Sequence, residues 1–254
     1  MRLAVLSDLH GNLPALNAIE ADLARRGGAD LIVNAGDLLS GPLWPRETAE
    51  RLMARGWLSI AGNHERQLLA CGQHPGDASD AHAWAQTSEA QRAWIAGLPP
   101  TRRLLHGTVL VCHGTPDHDH LYLMETVGPQ GSRAATPEEV DARLAGVDLA
   151  QVGLVVCGHS HLPRLMQRPR SPASPLLCLN PGSAGLPAYD DDHGGYHVHQ
   201  TGSPHARYAL CESTVDGGWT VALIAVDYDW RSAAAQAERQ GAPDWARWLA
   251  SGLA

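Results

Sequence analysis

The clearest pattern along the chain is a series of short apolar runs, each followed at once by a compact group of polar residues. Five such runs are present, at 3–6, 31–33, 57–60, 109–112 and 154–157. Runs of this length, rich in branched aliphatic side chains, indicate buried β-strands. Asp, Asn and His dominate the polar groups that follow, so the pattern predicts that five strands deliver metal-ligating side chains to one rim of a sheet.

The first 70 residues alternate between strand and helix patterns. Leu13, Leu16, Ile19 and Leu23 recur at helical spacing after the first strand, and Pro45 opens a second helix before the third strand. Because parallel strands need a crossover connection, this β-α-β-α-β order predicts a parallel sheet.

The rest of the chain is less regular. Residues 71–100 form a helical excursion, which we interpret as an outer layer over the sheet rather than as a lid. A capping box at 136–139 opens a short helix. Beyond the fifth polar group, short strand-like runs separated by Pro and Gly predict an antiparallel second sheet. Two helical segments, at 231–239 and 244–250, close the chain.

Composition narrows the class of protein. The chain has 254 residues, 44% of them hydrophobic, which suffices for a single domain over residues 1–254. A net charge of −8 with scattered arginines and no lysine argues against long nucleic acid as a partner. The five cysteines form no C-x-x-C pair and indicate a reduced compartment. With no signal-like or membrane-spanning apolar run, we predict a cytoplasmic protein without a membrane partner.

The polar groups have the chemistry of a metal centre. The candidate ligands are Asp8, His10, Asp37, Asn63, His113, His159 and His161. A mixture of oxygen and imidazole ligands without thiolate suits Mn²⁺, Fe, Zn²⁺ or Ni²⁺ better than a Ca²⁺ cage. Asp37 has two oxygens with which to bridge two ions. We therefore expect two divalent metal ions as cofactors, with manganese favoured.

The order of these motifs resembles the signature of calcineurin-like metallophosphoesterases. The chain carries Asp-x-His, Gly-Asp, Gly-Asn-His-Glu, an apolar run ending in His-Gly, and Gly-His-x-His, in that order. Residues 7–12, 113–116 and 180–183 look like the small prokaryotic phosphodiesterase branch of that superfamily. The resemblance covers about residues 2–226.

The resemblance implies a fold and a set of roles. The fold would be α/β (α+β mixed), a four-layer α-β-β-α sandwich of two mixed sheets with both metals at its rim. His64 matches the catalytic histidine that is not a ligand, faces the phosphate and assists the leaving group. A metal-bridging hydroxide would attack the phosphorus. The first ion would be bound by Asp8, His10 and His161, and the second by Asn63, His113 and His159, with Asp37 between them.

One position departs from the family pattern near the catalytic histidine. In the protein-phosphatase branch, an Asp three residues after Gly-Asp orients that histidine, whereas this chain has Ser40. The difference argues against a protein phosphatase. It leaves the partner of His64 unidentified.

A second departure is a loop insert within residues 187–206. We interpret it as a solvated surface hairpin, because glycines and an acidic run suit a loop. The alternative is a contact with substrate or an extra ion through His193, His197 and His199. Residues 117–120 lie near the predicted rim without an assigned role and are candidates for specificity.

Together these observations predict a metal-dependent phosphodiesterase that acts on a small phosphodiester or nucleotide. A phosphomonoesterase or dinucleoside-polyphosphate hydrolase with the same centre is the alternative within the enzyme class. A non-catalytic scaffold of the same fold is the alternative outside it, but His64 and all seven candidate ligands are present. The partner would be a small phosphoester, and the sequence does not determine the oligomeric state.

Overall fold

Strands and helices alternate through the first part of the chain, and strands dominate the remainder. The computed structural model describes residues 1–168 and 175–254. The strands are β1 (Arg2–Leu6), β2 (Leu31–Asn34), β3 (Leu58–Ser59), β4 (Arg102–Leu104), β5 (Val109–Val111), β6 (Glu125–Gly128), β7 (Gly131–Ala134), β8 (Leu154–Val156), β9 (Arg164–Arg168), β10 (Leu176–Asn180), β11 (Ala188–Asp191), β12 (His197–Gln200), β13 (Ala206–Ser213) and β14 (Trp219–Val226). The helices are α1 (Leu13–Arg25), α2 (Pro45–Arg55), α3 (Asn63–Ala70), α4 (Ala78–Gln86), α5 (Glu89–Ala96), α6 (Pro137–Arg143), α7 (Trp230–Arg239) and α8 (Pro243–Ser251).

The first sheet has the strand order β14-β13-β1-β2-β3. Strands β1, β2 and β3 are parallel, with Val5 opposite Val33, which confirms the prediction from the alternating pattern. On the other side of β1, strand β13 runs antiparallel, with Val5 opposite Ala209. Pairing with β13 leaves no open edge on β1.

The second sheet has the order β4-β5-β8-β10-β9. Strands β5, β8 and β10 are parallel, and β4 and β9 are antiparallel edges. The prediction of a separate antiparallel sheet beyond the fifth polar group is therefore wrong. The late strands exist, but β9 and β10 extend the sheet begun by β5, while β13 and β14 extend the first. The prediction that all ligands lie at the rim of one sheet is also wrong, because the ligand-bearing strands belong to both sheets.

The two sheets pack face to face between layers of helices. Leu3 and Val5 lie in the core between the sheets, together with Val111 and Val156 of the second sheet. The alternate residues of β1 face the other way, toward a core shared with helices α1, α2, α7 and α8. Helix α6 covers the outer face of the second sheet. The period of two along each strand thus produces the four-layer α-β-β-α sandwich that the family resemblance implied.

The helical excursion consists of α4 and α5. Ala83 and Ile95 are buried in the same core as Leu16 and Leu52, so these helices form an outer layer, as predicted. The capping box also forms, because Thr136 accepts from the Glu139 amide at 3.3 Å. No helix of the described chain is both long and apolar enough to cross a bilayer.

Candidate metal centre and cleft

All seven predicted ligand side chains meet where strands of both sheets end. Their exposed fractions are between 0% and 6%. Burying so many polar groups together is unfavourable unless each finds a partner. They follow β1 (Asp8, His10), β2 (Asp37), β3 (Asn63), β5 (His113) and β8 (His159, His161).

The first group joins Asp8, His10 and His161. The Nε2 atoms of His10 and His161 are 3.2 Å apart, and Asp8 Oδ1 is 3.4 Å from His161 Nε2. Both Nδ1 atoms contact backbone carbonyls, of Ser40 at 2.7 Å and Leu186 at 2.8 Å. A carbonyl only accepts, so each Nδ1 carries the proton and each Nε2 presents its lone pair. Two lone pairs that face each other at this distance require a proton or a cation between them.

The second group joins Asp37, His113 and His159. His113 Nε2 is 3.0 Å from Asp37 Oδ2 and 3.1 Å from Asn63 Oδ1, while its Nδ1 donates to the carbonyl of Ala35 at 2.7 Å. Burial opposes protonation of His113, but the Asp37 charge prevails and raises its pKa to about 9. The Nε2 of His159 has no hydrogen-bond partner among the described residues. These atoms suit a cation that would replace the proton on His113.

Asp37 lies between the two groups. Asp8 Oδ1 is only 4.0 Å from His113 Nε2, so the groups adjoin. Burial favours the neutral acid, but His113, His64 and His10 surround Asp37 and hold the pKa of its carboxyl well below the usual range. The position and the charge of Asp37 fit the bridging role that the sequence suggested.

The ligand loops have a strained backbone. Five of the seven candidate ligands adopt a left-handed conformation, with φ between 50° and 67°. Non-glycine residues rarely adopt this region, and it persists only where surrounding contacts enforce it. Here those contacts are hydrogen bonds between the loops, from the Asp8 amide to the Gly36 carbonyl at 3.0 Å and from the His159 amide to Asp8 Oδ1 at 3.1 Å.

Two glycines allow the ligand loops to approach each other. A Cβ on Gly36, whose φ is +99°, would lie 2.7 Å from His113 Nδ1. A Cβ on Gly62 would lie 2.2 Å from Asp37 Oδ1. In the Gly-Asp and Gly-Asn motifs, the glycine therefore leaves room for a ligand side chain from another loop, and the next residue is itself a ligand.

Glu65 fixes two ligand loops at once, a role that the sequence analysis missed. Its carboxylate accepts from the amides of Asp37, Leu38 and Gly62, each at 2.8 Å. Burial and the Asp37 charge raise the pKa of Glu65 to about 7, against the effect of these amides. In the sequence, Glu65 looks like any acidic residue in the first turn of a helix. Its role depends on the contact with the loop after β2, which only the tertiary structure shows.

The Asn-Pro-Gly-Ser motif fastens the remaining loops. Asn180 donates to the carbonyl of Gly158 at 2.8 Å, and Ser183 donates to the carbonyl of Asp8 at 2.8 Å. The end of β10 thus holds ligand loops that follow β1 and β8. This gives a structural reason for a motif whose role the sequence left open.

His64 faces the cleft beside Asp37, and Asp80 is its partner. Its amide donates to Asp37 Oδ1 at 3.0 Å, and its Nδ1 is 3.0 Å from Oδ1 of Asp80, a residue with a 1% exposed side chain. Burial lowers the pKa of His64, but the charges of Asp37 and Asp80 outweigh it and raise the pKa to about 10. Asp80 belongs to α4, in the helical excursion that the sequence analysis interpreted only as an outer layer over the sheet. Ser40, which replaces the expected Asp, donates to Ser79 beside Asp80 at 3.2 Å.

The insert forms the predicted surface hairpin, β11–β12, whose residues 192–196 are exposed, but two of its histidines are not solvated. His197 and His199 are each 1% exposed, and only His193 among its histidines is on the surface. The hairpin folds against the metal-site loops because Tyr189 donates to the carbonyl of His159 at 3.0 Å. His199 Nδ1 contacts the same phenol oxygen at 2.8 Å.

Tyrosine rings cover two candidate ligands from the hairpin side. The Tyr122 ring stacks on His159 with centroids 4.5 Å apart, and the Tyr189 ring meets His161 edge-on at 4.6 Å. The two phenol oxygens are 2.9 Å apart. Neither tyrosine was singled out as a site residue from sequence, since an isolated Tyr gives no sign of what it contacts.

A cleft of about 280 Å³ opens over the centre. Its outer wall contains Trp245 of α8, whose ring centroid is 5.7 Å from that of His10, and the hairpin residues Asp190 and Asp191. From the segment 117–120, His120 lines the cleft, while Asp119 pairs with an arginine on α3. The arrangement can hold cations, bind one small anion and deliver a proton from the side of His64.

The chain matches known proteins over most of its length. A family profile described as calcineurin-like phosphoesterase matches residues 1–163. The chain is 24% identical to an uncharacterized protein of Methanocaldococcus jannaschii over 267 residues, covering 96% of this chain and 94% of the relative.

Two solved structures share the fold. A metallophosphoesterase from Sphaerobacter thermophilus superposes with a TM-score of 0.72 at 24% identity, covering 100% of both chains. A putative diadenosine tetraphosphatase superposes with a TM-score of 0.52 at 18% identity, covering 89% of this chain and 94% of the other. At these identities the likeness concerns the fold alone.

Proposed function

Because this chain belongs to the calcineurin-like phosphoesterase family, whose members hydrolyse phosphoesters with divalent metals, we propose that it is a phosphodiesterase for small substrates. The observation that carries the proposal is the convergence of seven buried oxygen and nitrogen ligands beside His64. A non-catalytic scaffold would not need a histidine that a buried aspartate holds at the cleft.

The residues fit a pair of divalent cations. The opposed Nε2 atoms of His10 and His161, at 3.2 Å, and the unpartnered Nε2 of His159 are the specific signs. When bound, two such cations supply positive charge that acidifies an attacking water and neutralises the phosphoryl oxygens. Asp8, His10 and His161 would hold one, and Asn63, His113 and His159 the other, with Asp37 shared. Manganese is our first choice for this mixed ligand set, with iron, zinc and nickel as the others.

His64 is the proposed proton donor. Its Nδ1–H donates to Asp80, so the ring orientation and tautomer are fixed and Nε2 is the nitrogen free to act. In the absence of cations, the charges of Asp37 and Asp80 raise the pKa of His64 to about 10, and Asp80 still favours the imidazolium when Asp37 is shared by two cations. His64 would protonate the ester oxygen as the P–O bond breaks, a step typically worth about 10² to 10⁴ in rate.

The buried ligand loops provide the orientation. Glu65, Asn180 and Ser183 fix the backbones of four ligand loops by direct hydrogen bonds. A site held in this way requires little rearrangement as the reaction proceeds.

The test compares a diester with a monoester. We expect bis-p-nitrophenyl phosphate to be cleaved faster than p-nitrophenyl phosphate by the purified chain supplied with Mn²⁺, with no turnover in EDTA. Preference for the monoester would instead support the phosphomonoesterase alternative. Turnover of neither compound, nor of dinucleoside polyphosphates, with any of the four metals would contradict the proposal.

A further inference from the structure

We propose that the cleft selects phosphodiesters in which one alcohol carries a positive charge, such as a quaternary ammonium group, and that Asp190 and Asp191 supply this selectivity. The inference rests on the proposed phosphodiesterase function and adds a substrate class to it. It concerns the outer wall of the cleft, beyond the candidate metal ligands.

The outer wall is negatively charged. Three carboxylates outside the ligand set line the cleft, those of Asp77, Asp190 and Asp191. No arginine lines it within the described ranges, and the chain contains no lysine. A further phosphate group beyond the one at the metal centre would therefore meet carboxylates rather than cations.

The hairpin carboxylates are not neutralised by neighbours. Asp190 accepts one long hydrogen bond, from the exposed Tyr196 at 3.4 Å, and Asp191 accepts from the His193 amide at 2.9 Å. No arginine in the part of the chain that the structure describes forms an ion pair with either. Asp77, by contrast, is occupied in capping α4 and accepting from the Ser79 hydroxyl at 2.8 Å.

The basic groups near the cleft have other partners. The ring of His120, which lines the cleft, stacks on that of His193 with centroids 4.1 Å apart. Arg66, on the helix beside the cleft, is bound through two nitrogens to Asp119, each at 2.8 Å. The carboxylates of the hairpin thus set the sign of the potential at the outer wall.

Aromatic surface accompanies the carboxylates. The indole of Trp245 lies in the wall, 6.3 Å from that of Trp248 between centroids, and Tyr189 faces the same space. Aromatic faces combined with negative charge are how proteins recognise quaternary ammonium groups.

The charges also distinguish the candidate substrates. A phosphodiester contributes one negative charge to the metal centre, and an ammonium on its alcohol would lie opposite the hairpin carboxylates. A dinucleoside polyphosphate carries several negative charges in a row, and the outer wall offers no cation to receive them. A cleft of about 280 Å³ lies at the small end of ligand pockets, which also favours a compact substrate.

The experiment uses a matched pair of chromogenic diesters. One is p-nitrophenyl phosphorylcholine, and the other is p-nitrophenyl 3,3-dimethylbutyl phosphate, in which carbon replaces the charged nitrogen. In both, water attacks phosphorus, the bond to the nitrophenyl oxygen breaks, and p-nitrophenol leaves. We expect kcat/KM of the Mn²⁺-loaded chain to favour the cationic ester by about tenfold at low salt, since local charge changes substrate capture by this order. The advantage should shrink as salt is added.

Variants separate this inference from the function on which it rests. The double variant Asp190→Asn with Asp191→Asn should bring the ratio of the two esters close to one, while Asp192→Asn, in the same hairpin but outside the cleft lining, should keep it. Equal turnover of both esters by the unmodified chain would overturn the selectivity and leave the phosphodiesterase intact. If the chain hydrolysed neither ester, both the selectivity and the phosphodiesterase function would be contradicted. Faster cleavage of diadenosine tetraphosphate than of the cationic ester would also overturn the selectivity.

Discussion

Among single residues, Asp37 is in contact with a candidate ligand, with His64 and with Glu65. Its carboxylate accepts from the His64 amide and faces His113, and its own amide donates to Glu65. We assign this carboxylate as a ligand of both cations, so its negative charge contributes to the binding of each cation.

We expect Asp37→Asn to abolish turnover and to lower the bound metal, since the amide keeps the shape but removes the shared negative charge. Elemental analysis of the Mn²⁺-incubated protein checks the metal content. Asp119→Asn, close to the cleft but paired with Arg66, is the control and should retain both metals. Wild-type activity of Asp37→Asn in metal-defined buffer would show that the ligand assignment is wrong.

Asp80 acts on the reaction through His64 rather than directly. We expect Asp80→Asn to lower kcat by about 10- to 100-fold while the metal content stays unchanged, because the imidazolium loses its partner but the donor remains. His64→Ala should lower kcat further, also with the metals retained.

The double variant decides whether the two residues form one unit. If Asp80 works only by holding His64, then Asp80→Asn should change little in the His64→Ala background. Equal effects of Asp80→Asn in both backgrounds would show that Asp80 stabilises the fold instead.

At the scale of elements, the hairpin β11–β12 is a support for the loop after β8. Tyr189 donates to the His159 carbonyl at 3.0 Å, and both ligands of this loop have a left-handed backbone, with φ of 67° at His159 and 59° at His161. A loop in that conformation needs such contacts to stay in place.

We expect Tyr189→Phe to weaken Mn²⁺ binding by about 10- to 100-fold, the usual cost of losing a group that orients metal ligands. The ring and its packing on His161 are kept, so the change isolates the hydroxyl. Calorimetric titration with Mn²⁺ measures the affinity, and Tyr196→Phe, on the exposed side of the same hairpin, is the control. Unchanged affinity of Tyr189→Phe would mean that the hairpin only shapes the cleft.

At the scale of the whole molecule, the candidate centre joins the two sheets. Asp8, Asp37 and Asn63 follow strands of the first sheet, while His113, His159 and His161 follow strands of the second. Cations bound by both sets would bridge the sandwich at one edge, and such binding stabilises the folded state alone.

We therefore expect Mn²⁺ to raise the melting temperature relative to EDTA. At 100 times the dissociation constant, binding contributes about 2.7 kcal/mol, which for a chain of this size corresponds to roughly 5–10 °C. Differential scanning calorimetry at several Mn²⁺ concentrations checks this. A melting temperature independent of Mn²⁺ would contradict a metal site shared by the sheets, and Asp37→Asn should show a much smaller shift.

Much of this architecture could be predicted from local patterns. The strand before each ligand motif, the helix from residue 13 and the capping box before α6 all form where the sequence indicated. These features depend on side chains within a few residues of one another. The sheet partners of β9, β10, β13 and β14 could not be predicted in this way, because a short apolar run fits any open strand edge.

The sequence by itself determined the residues that gather at the centre, since spacing and residue type encode them locally. The order of its motifs also indicated the family, and that resemblance implied the four layers. Only the tertiary structure decided that Asp80 meets His64, that Glu65 joins two loops, and that the histidine hairpin is buried against Tyr122. Each of these contacts links residues that different elements bring together. Their partners are selected by how the layers pack, and nothing in the neighbouring residues of the chain specifies that choice.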